Sequence, residues 1–517
     1  MRRLTVLLAL GLGLTAVGTA QLSPALAAGA PPQVTQLSSS SLPRSGRLLV
    51  HGSGFGAAQG ASTLRIGGRA APITRWSDSL IVGYVPEATP LGANAVRVVV
   101  DSALGNTASI DVTARQASGR VKWRFQVDAQ VGYLLQRPAI GLDGTVVAHD
   151  PAGNVYALSP DGGLKWIFRT QGFASGPPSI GTDGTVYVAA GSTIYAISSA
   201  GALKWSFTEP AGGQGVIVGP TVGPDGNVYA VTDIGGIGAL ALSPKGNLLW
   251  SNTGDPIFSE LGQIGAELAF GPSQAGGPLN QIYAGVDRGL STGGVLHALT
   301  FGGAQSWAIR AGGSDNGGMQ GQRQPVVAAD GTVYMTAAST FLDPCGGSCL
   351  YAYDPATGAA RWFYSPFPAN GMSEPTVGGD GTIYVGRSLS YLDAVTPAGT
   401  TKWSIFDGGI LAHPTVDPRN AEVLTGEAPN YGEPGNVRTF SARDGHLLWQ
   451  QALPSENGGF QVLYSRPRFT PNGQTAYFGT FISAPESPDQ YANLYAVDTT
   501  GLAPTKRPGL HQHRLTH

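Results

Sequence analysis

The chain has 517 residues and a formal net charge of −2 at pH 7, and only 12% of its residues are charged. It is too long for one ordinary domain, and its near-neutral charge without a basic stripe argues against binding of nucleic acid or of a membrane surface. Its 76 glycines and 37 prolines favour short strands joined by turns.

The first 30 residues have the pattern of a secretory signal peptide. MRRLTVLLALGLGLTAVGTA places two arginines before an apolar run, and small-residue cleavage patterns follow at 25–27 and 28–30. An uncleaved anchor is the alternative, but the run of about 17 residues is short for a membrane span. We therefore predict a secreted, periplasmic or cell-surface protein that has no membrane span after cleavage.

Residues 31–114 are predicted to form a separate β-sandwich. Runs such as RLLVHG, SLIVGYVP and AVRVVVD are rich in β-branched residues and are bounded by Gly and Pro. The motifs Gly52–Gly56, Ile66–Gly68, Trp76–Asp78 and Val85-Pro86 resemble those of the IPT/TIG family of immunoglobulin-like domains. That resemblance implies a spacer or binding module outside the cell, with Trp76 in its core.

The rest of the chain repeats one pattern. A strand opens near Pro, turns through Asp-Gly, continues into a Tyr-Ala strand, turns again through Gly and reaches Trp, as in PSIGTDGTVYVAAGSTIYAISSAGALKW. The period of 39–57 residues is typical of propeller blades. The tryptophans, which we predict to fill the gaps between blades, are Trp123, Trp166, Trp205, Trp250, Trp307, Trp362, Trp403 and Trp449.

Residues 119–501 should therefore form an all-β, eight-bladed propeller. Asp-Gly between two β-rich runs predicts a hairpin, because Gly accepts the positive φ of a tight turn. The last unit, which starts at Pro467, reaches LYAVDTTG without a Trp. The N-terminal strand GRVKWRFQV is expected to complete that blade and to close the ring, which removes an exposed sheet edge. The fourth copy lacks the Asp-Gly turn, and residues 502–517 are expected to be a disordered tail.

The run Ala352-Tyr353-Asp354-Pro355-Ala356-Thr357-Gly358, with Trp362 after it, resembles the tryptophan-docking motif of quinoprotein propellers. The resemblance implies a propeller of the pyrroloquinoline-quinone-like (PQQ-like) class. One branch of that class contains Ca²⁺-dependent dehydrogenases, and the other contains non-catalytic propellers such as the scaffold subunit of the outer-membrane β-barrel assembly machinery. This chain lacks the adjacent cysteine pair of the dehydrogenases, and no matching Glu, Asn and Asp set for Ca²⁺ can be assigned.

Two cysteines, Cys345 and Cys349, are present. In an oxidising compartment their spacing predicts a local disulfide rather than a redox pair, which would be C-x-x-C at a helix start. A C-x-x-C-H haem site, an H-E-x-x-H metal site and a G-x-S-x-G elbow in strand-turn-helix context are absent. The sequence therefore predicts no catalytic residue, no metal site and no cofactor.

Binding residues should lie where the repeats differ at equivalent channel-facing positions. The residue before each strand-opening Pro is such a position, and in the second and third copies it is Pro177 and Gly219. Elsewhere it is polar or charged, which predicts a channel-mouth site made of Arg137, Gln324, Glu374, His413 and Arg466. The alternative is a water-filled channel whose lining only solvates the strand starts.

The sequence favours a monomeric, exported, non-catalytic binding or scaffold protein with a protein or glycan partner. A quinoprotein-like oxidoreductase that binds PQQ and Ca²⁺ in the channel is the second hypothesis. A carbohydrate-active propeller enzyme is the third, and it would need two carboxylates across the channel. Glu374 and Glu267 are the candidates for that pair.

Overall fold

The computed structural model describes most of the chain beyond residue 30, and every regular element in the described part is a β-strand. No helix of the described part is long and apolar enough to cross a membrane. The predicted signal peptide and tail lie outside the described residues. Those residues are 31–128, 137–209, 217–232, 238–252, 263–264, 268–287, 294–311, 324–338, 348–366, 371–387, 391–406, 410–411, 413–428, 435–454, 460–463, 465–483 and 491–500.

The N-terminal domain is a sandwich of two sheets, which confirms the predicted immunoglobulin-like class. The strand orders are β1-β3-β7-β6 and β2-β10-β8-β4-β5, with β9 paired to β8. Trp76 is partly buried against the core of the sandwich and donates its indole N–H to the carbonyl of Phe55 at 3.0 Å, as expected for a structural residue. The strands are β1 (Gln33–Leu37), β2 (Ser41–Pro43), β3 (Arg47–Ser53), β4 (Thr63–Ile66), β5 (Arg69–Ala70), β6 (Ile73–Trp76), β7 (Leu80–Tyr84), β8 (Gly92–Val100), β9 (Ala103–Leu104) and β10 (Ala108–Thr113).

The described strands after residue 120 form eight antiparallel sheets, which we number 1 to 7 in chain order, followed by a closing sheet. Sheets 1 to 3 each contain four strands, which run in sequence order. Sheet 1 comprises β12 (Ala139–Ile140), β13 (Val146–His149), β14 (Asn154–Leu158) and β15 (Leu164–Arg169); sheet 2 comprises β16 (Ser179–Ile180), β17 (Val186–Ala190), β18 (Thr193–Ile197) and β19 (Leu203–Thr208); sheet 3 comprises β20 (Ile217–Val222), β21 (Val228–Thr232), β22 (Gly238–Leu242) and β23 (Leu248–Ser251).

Sheets 4 to 7 follow the same order, with one additional short strand in sheet 4 and another in sheet 7. Sheet 4 comprises β24 (Gln263–Ile264), β25 (Ala269–Pro272), β26 (Leu279–Asp287), β27 (Gly294–Thr300) and β28 (Gln305–Ala311); sheet 5 comprises β29 (Val326–Val327), β30 (Val333–Ala338), β31 (Ser348–Tyr353) and β32 (Ala360–Tyr364); sheet 6 comprises β33 (Thr376–Val377), β34 (Ile383–Arg387), β35 (Tyr391–Val395) and β36 (Thr401–Phe406); sheet 7 comprises β37 (Ile410–Leu411), β38 (Thr415–Val416), β39 (Glu422–Ala428), β40 (Asn436–Ser441) and β41 (Leu447–Ala452).

The closing sheet joins both ends of the propeller chain, as the sequence predicts. Its strands are β11 (Val121–Asp128), β42 (Phe460–Leu463), β43 (Arg468–Phe469), β44 (Thr475–Ser483) and β45 (Tyr491–Asp498). Strand β11 pairs antiparallel with β45, so that Trp123 lies opposite Ala496 and Phe125 opposite Leu494. The outermost strand of this sheet therefore comes from the N-terminal side of the repeats.

The repeated turn glycines form the hairpins for the predicted reason. Gly184, in the Asp-Gly turn between β16 and β17, has φ 77°, and its N–H donates to the carbonyl of Gly181 at 2.9 Å. The strands that follow the turns are buried on both faces; all five residues of β14 and all five of β17 are buried. Burial on both faces follows from the position of each sheet between two others.

The tryptophans connect neighbouring sheets through one repeated contact. Seven of the eight donate their indole N–H to a backbone carbonyl in the second turn of the following sheet, at 2.7–3.2 Å. A glycine with positive φ lies against the indole ring in each of those turns. These seven tryptophans thus lie between neighbouring sheets.

Candidate functional site

The five predicted site residues lie at the starts of the innermost strands. Arg137, Gln324, Glu374, His413 and Arg466 each precede the proline that comes just before β12, β29, β33, β38 and β43. Proline has no N–H to donate, so it is suited to the first position of an inner strand, where it leaves no ladder bond unmade. Because the innermost strands of a propeller surround its central channel, the preceding side chains meet at one end of that channel.

Arg466 connects the closing sheet to sheets 5 and 6. Its guanidinium donates to the carbonyl of Pro375 at 2.7 Å and to Oε1 of Gln324 at 3.3 Å. Its Nη1 also lies 4.0 Å from Oε2 of Glu374, and both side chains are more than nine-tenths buried. Removal of either charge would take this contact from a buried charge, which is a costly change.

Glu374 accepts a further hydrogen bond and positions His413. The backbone N–H of Gln324 donates to Oε1 of Glu374 at 3.4 Å, and the backbone N–H of Glu374 donates to Nδ1 of His413 at 3.3 Å. Burial, together with the nearby positive charge of Arg466, lowers the pKa of His413 to about 4. His413 is therefore neutral at neutral pH, with its proton on Nε2, and its 3.9 Å contact with Glu374 is then not an ion pair.

A cavity of about 450 Å³ adjoins this cluster, a volume within the range of small-ligand sites. Its described lining comes from the inner strands of sheets 4, 5, 6, 7 and the closing sheet and from residues beside the inner strands, including Arg137 before the first strand of sheet 1. Pro177 and Gly219, the equivalent residues of sheets 2 and 3, are not among the lining residues. The lining residues are Arg137, Ala269, Gln324–Val327, Thr376, Val377, Gly379, Thr415–Pro418 and Arg466–Phe469.

The sequence prediction missed part of this lining. Thr376, Thr415 and Arg468 follow Glu374, His413 and Arg466 by two residues and line the same cavity. Since alternate residues of a strand share a face, a period-two reading of each inner strand would have found them. Asp417 is a further lining carboxylate, and Arg419 lies 2.6 Å from it.

The described channel residues do not fit a quinone with its Ca²⁺. No group of three or more His, Cys, Asp or Glu that could hold a metal occurs in the described part of the chain. Asp417 accepts hydrogen bonds from Arg419 and from the backbone N–H groups of Ala421 and Glu422, so its oxygens are already engaged.

The predicted disulfide and the predicted carboxylate pair each include one residue outside the described part of the chain. Cys349 lies in β31 and is disulfide-bonded, whereas Cys345 lies outside the described residues, so the pairing of the two stays a prediction. Glu267, the second carboxylate of the carbohydrate-enzyme hypothesis, also lies outside the described residues. The oxygens of Glu374, the first carboxylate, face Arg466 and the backbone N–H of Gln324.

The fold defines a class of protein, a β-propeller with an N-terminal immunoglobulin-like domain. The model of the family described as outer membrane protein assembly factor BamB matches residues 87–286 and 291–480, and the IPT/TIG domain model matches residues 32–114. Because the first match spans well over half of the chain, the protein belongs to that family, and its N-terminal domain is an IPT/TIG domain. A search of curated proteins found no match.

Solved propellers share the fold at low sequence identity. The Dos1 propeller is 10% identical with a TM-score of 0.56, and the match covers 74% of this chain and 96% of that one. Quinohemoprotein alcohol dehydrogenase ADHIIG from Pseudomonas putida HK5 is 16% identical with a TM-score of 0.51, over 76% and 78%. BamB from Moraxella catarrhalis is 16% identical with a TM-score of 0.49, over 72% and 98%. At these identities the two matches with TM-scores above 0.5 establish the fold alone.

Proposed function

We propose that this protein is an exported, non-catalytic binding protein of the cell envelope. In this proposal a segment of a partner protein is recognised at the channel mouth formed by Arg137, Gln324, Glu374, His413 and Arg466. Membership of a family described as an outer-membrane assembly factor supports a protein partner. The signal-peptide pattern of the first 30 residues supports export.

The observation that carries the proposal is the hydrogen-bonded cluster around Arg466. Its charged groups hold one another in fixed positions, and they adjoin a cavity with apolar, hydroxyl and guanidinium groups in its wall. A peptide offers carbonyls, amides and side chains that match such a mixed lining. None of the described lining residues forms an arrangement of nucleophile and base that would suit covalent catalysis.

A capture experiment tests the site. The mature protein, Arg466→Ala and Gln324→Ala would each be used to retain envelope proteins, and partners would be identified by mass spectrometry. Arg97→Ala is the matched control, because Arg97 is a partly exposed arginine of the N-terminal domain that bonds only to Thr107 among the contacts described. We expect both channel variants to weaken binding of a specific partner by about tenfold or more, while Arg97→Ala retains it.

The same protein would be titrated calorimetrically with pyrroloquinoline quinone, with and without Ca²⁺. No saturable heat is expected. Saturable, Ca²⁺-dependent binding near one to one would contradict the proposal and support an oxidoreductase. Thermal unfolding would verify that both channel variants are folded. If they then captured every partner as well as the unsubstituted protein does, the binding surface would lie elsewhere than the channel mouth.

A further inference from the structure

The N-terminal domain rests against the strand that closes the propeller. Strand β3 contacts β11, and β6 contacts β15, so the domain bridges the closing sheet and sheet 1. The two sheets meet where Trp123 donates to the carbonyl of Pro160 at 2.8 Å. The domain therefore covers the junction at which the two ends of the propeller chain are joined.

A buried ion pair connects the domain to the end of β11. Arg47 of β3 donates through Nε to Oδ1 of Asp128 at 2.7 Å, and its Nη2 lies 2.6 Å from the same oxygen. The side chains of Arg47 and Asp128 are only 1% and 4% exposed. Arg75 adds a second positive charge 3.9 Å from Asp128.

An aromatic side chain of the N-terminal domain completes the core of the propeller at this junction. Tyr84 stacks on Phe125 of β11 at 5.2 Å and meets Tyr156 of sheet 1 edge-on at 6.0 Å. Its hydroxyl donates to the carbonyl of Gln126 at 3.0 Å. Tyr84 is fully buried and belongs to the same apolar cluster as Trp123.

A third set of contacts fastens the domain to sheet 1. Arg115 lies between Glu87 of the N-terminal domain and Asp161 of sheet 1, at 2.6 Å and 3.2 Å. The backbone N–H of Leu164 donates to Oγ of Ser45 at 2.9 Å. Leu164 is 7% exposed, whereas Leu203 and Leu248, which begin the outer strands of sheets 2 and 3, are 49% and 44% exposed.

Closure is the step of folding that most needs such support. Strands β11 and β45 lie at opposite ends of the repeats, so their pairing closes the longest loop in the molecule, at the largest entropic cost. The last strand of the N-terminal domain is connected to β11 by only a short segment, residues 114–120. The domain's contacts with β11, such as that of Arg47 with Asp128 across 81 residues, close much shorter loops than the β11–β45 pairing and can hold β11 before β45 arrives.

We propose that the immunoglobulin-like domain is an intramolecular clamp that holds β11 in the closing sheet. Its docking and the closure of the propeller are then one coupled equilibrium. The domain is a fixed part of the ring rather than a freely moving arm, and this role is independent of what the channel binds.

Hydrogen exchange on the full chain tests the clamp. Arg47→Ala is expected to speed exchange of the β11 and β45 amides by about a hundredfold, since it removes the buried partner of Asp128 and leaves the more exposed Arg75 3.9 Å away. The amides of β21 in sheet 3 should keep their protection. Arg97→Ala is the control, because it removes a partly exposed arginine of the same domain that donates to Thr107.

Arg115→Ala is the second variant and serves if Arg47→Ala does not fold. It leaves the Arg47–Asp128 pair intact and is expected to speed exchange in the same two strands, to a smaller extent. Unchanged exchange of β11 and β45 in a folded interface variant would overturn the proposal. So would thermal unfolding of the N-terminal domain as a separate transition while β11 stays protected.

Discussion

At the scale of single residues, sheet 1 contains two ionisable side chains whose pKa values are shifted by burial in favour of their neutral forms. His149 is fully buried, neither of its ring nitrogens has a hydrogen-bond partner among the described residues, and burial lowers its pKa to about 3. The adjacent Asp150 is also buried, and burial raises its pKa to about 7 despite bonds from Asn154 and Tyr156. A carboxyl with that pKa changes charge near neutral pH.

The pKa of Asp150 predicts how stability varies with pH. The folded state retains the proton of Asp150 up to about pH 7, whereas the unfolded chain loses it near pH 4. Stability from this group is therefore full below about pH 4 and is lost as pH rises to about 7, by about 1.4 kcal/mol for each tenfold difference in proton affinity between the two states. Asp150→Asn cannot ionise, so the free energy of unfolding in urea should fall less over this range than in the wild type.

Asp183→Asn is the control for this measurement. Hydrogen bonds from Thr185 lower the pKa of Asp183 to about 2. Its contribution has the opposite sign: it is present above the ordinary pKa and is lost as pH falls toward 2. The control should keep the wild-type slope between about pH 4 and pH 7. An equal slope in Asp150→Asn would show that this carboxyl is not the source.

At the scale of elements, contact between sheets depends on a turn and a tryptophan that fit closely together. Gly201, in the turn before β19, has φ 84°, and a Cβ at this position would lie 2.6 Å from Cγ of Trp166. The indole N–H of Trp166 donates to the carbonyl of Ser199 in the same turn, at 2.9 Å. The turn therefore needs glycine for two reasons, its positive φ and the ring against it.

The two reasons can be separated by substitution. Gly226 also has a positive φ, of 81°, but a Cβ there would meet nothing within 4 Å. We expect Gly226→Ala to lower the free energy of unfolding by about 1 kcal/mol through backbone strain alone. Gly201→Ala should cost about 2–4 kcal/mol, because the indole ring must also move. Equal losses in chemical denaturation would mean that the tryptophan contact contributes nothing.

At the scale of the whole molecule, the closing sheet differs from the others in how its neighbour's tryptophan is held. Trp449 of sheet 7 faces the closing sheet. The outer strand of that sheet, β11, is not joined to its neighbour β45 by a turn, so the usual second turn is missing opposite Trp449. Arg120 takes that place, with its guanidinium 4.4 Å from the centre of the Trp449 ring. Nη1 of Arg120 also donates to the carbonyls of Asp498 and Thr500 at 3.1 Å and 3.0 Å.

Arg120 should therefore contribute to closure of the ring. Arg120→Ala removes the contact with Trp449 and two hydrogen bonds to the end of β45, and we expect it to lower the free energy of unfolding by about 2–3 kcal/mol. Lys122→Ala is the control, since exposed Lys122 bonds to Thr475 of the same sheet and its loss should cost about 1 kcal/mol or less. Urea denaturation measures both. A loss for Arg120→Ala no larger than that for Lys122→Ala would contradict this role.

The residues of the channel-mouth cluster could be located from the repeat pattern, but the contacts among them could not. The residue before each inner proline was located from the sequence, because proline marks the start of the innermost strand and equivalent positions face the same way. The contacts from Arg466 to Gln324 and to the carbonyl of Pro375 could not be predicted from the sequence. They depend on the distance across the channel, which the arrangement of the sheets sets.

The sequence by itself determined the class of each domain, the closure of the ring by β11 and the role of the tryptophans. Each of these follows from local rules: turn glycines, strand alternation and a repeat with one unit divided between its two ends. Only the tertiary structure decided which sheets line the cavity and where the immunoglobulin-like domain is docked. Arg47 and Asp128 are 81 residues apart and belong to no repeated motif. Their pairing arises only when the two folded surfaces meet and water is excluded from both charges.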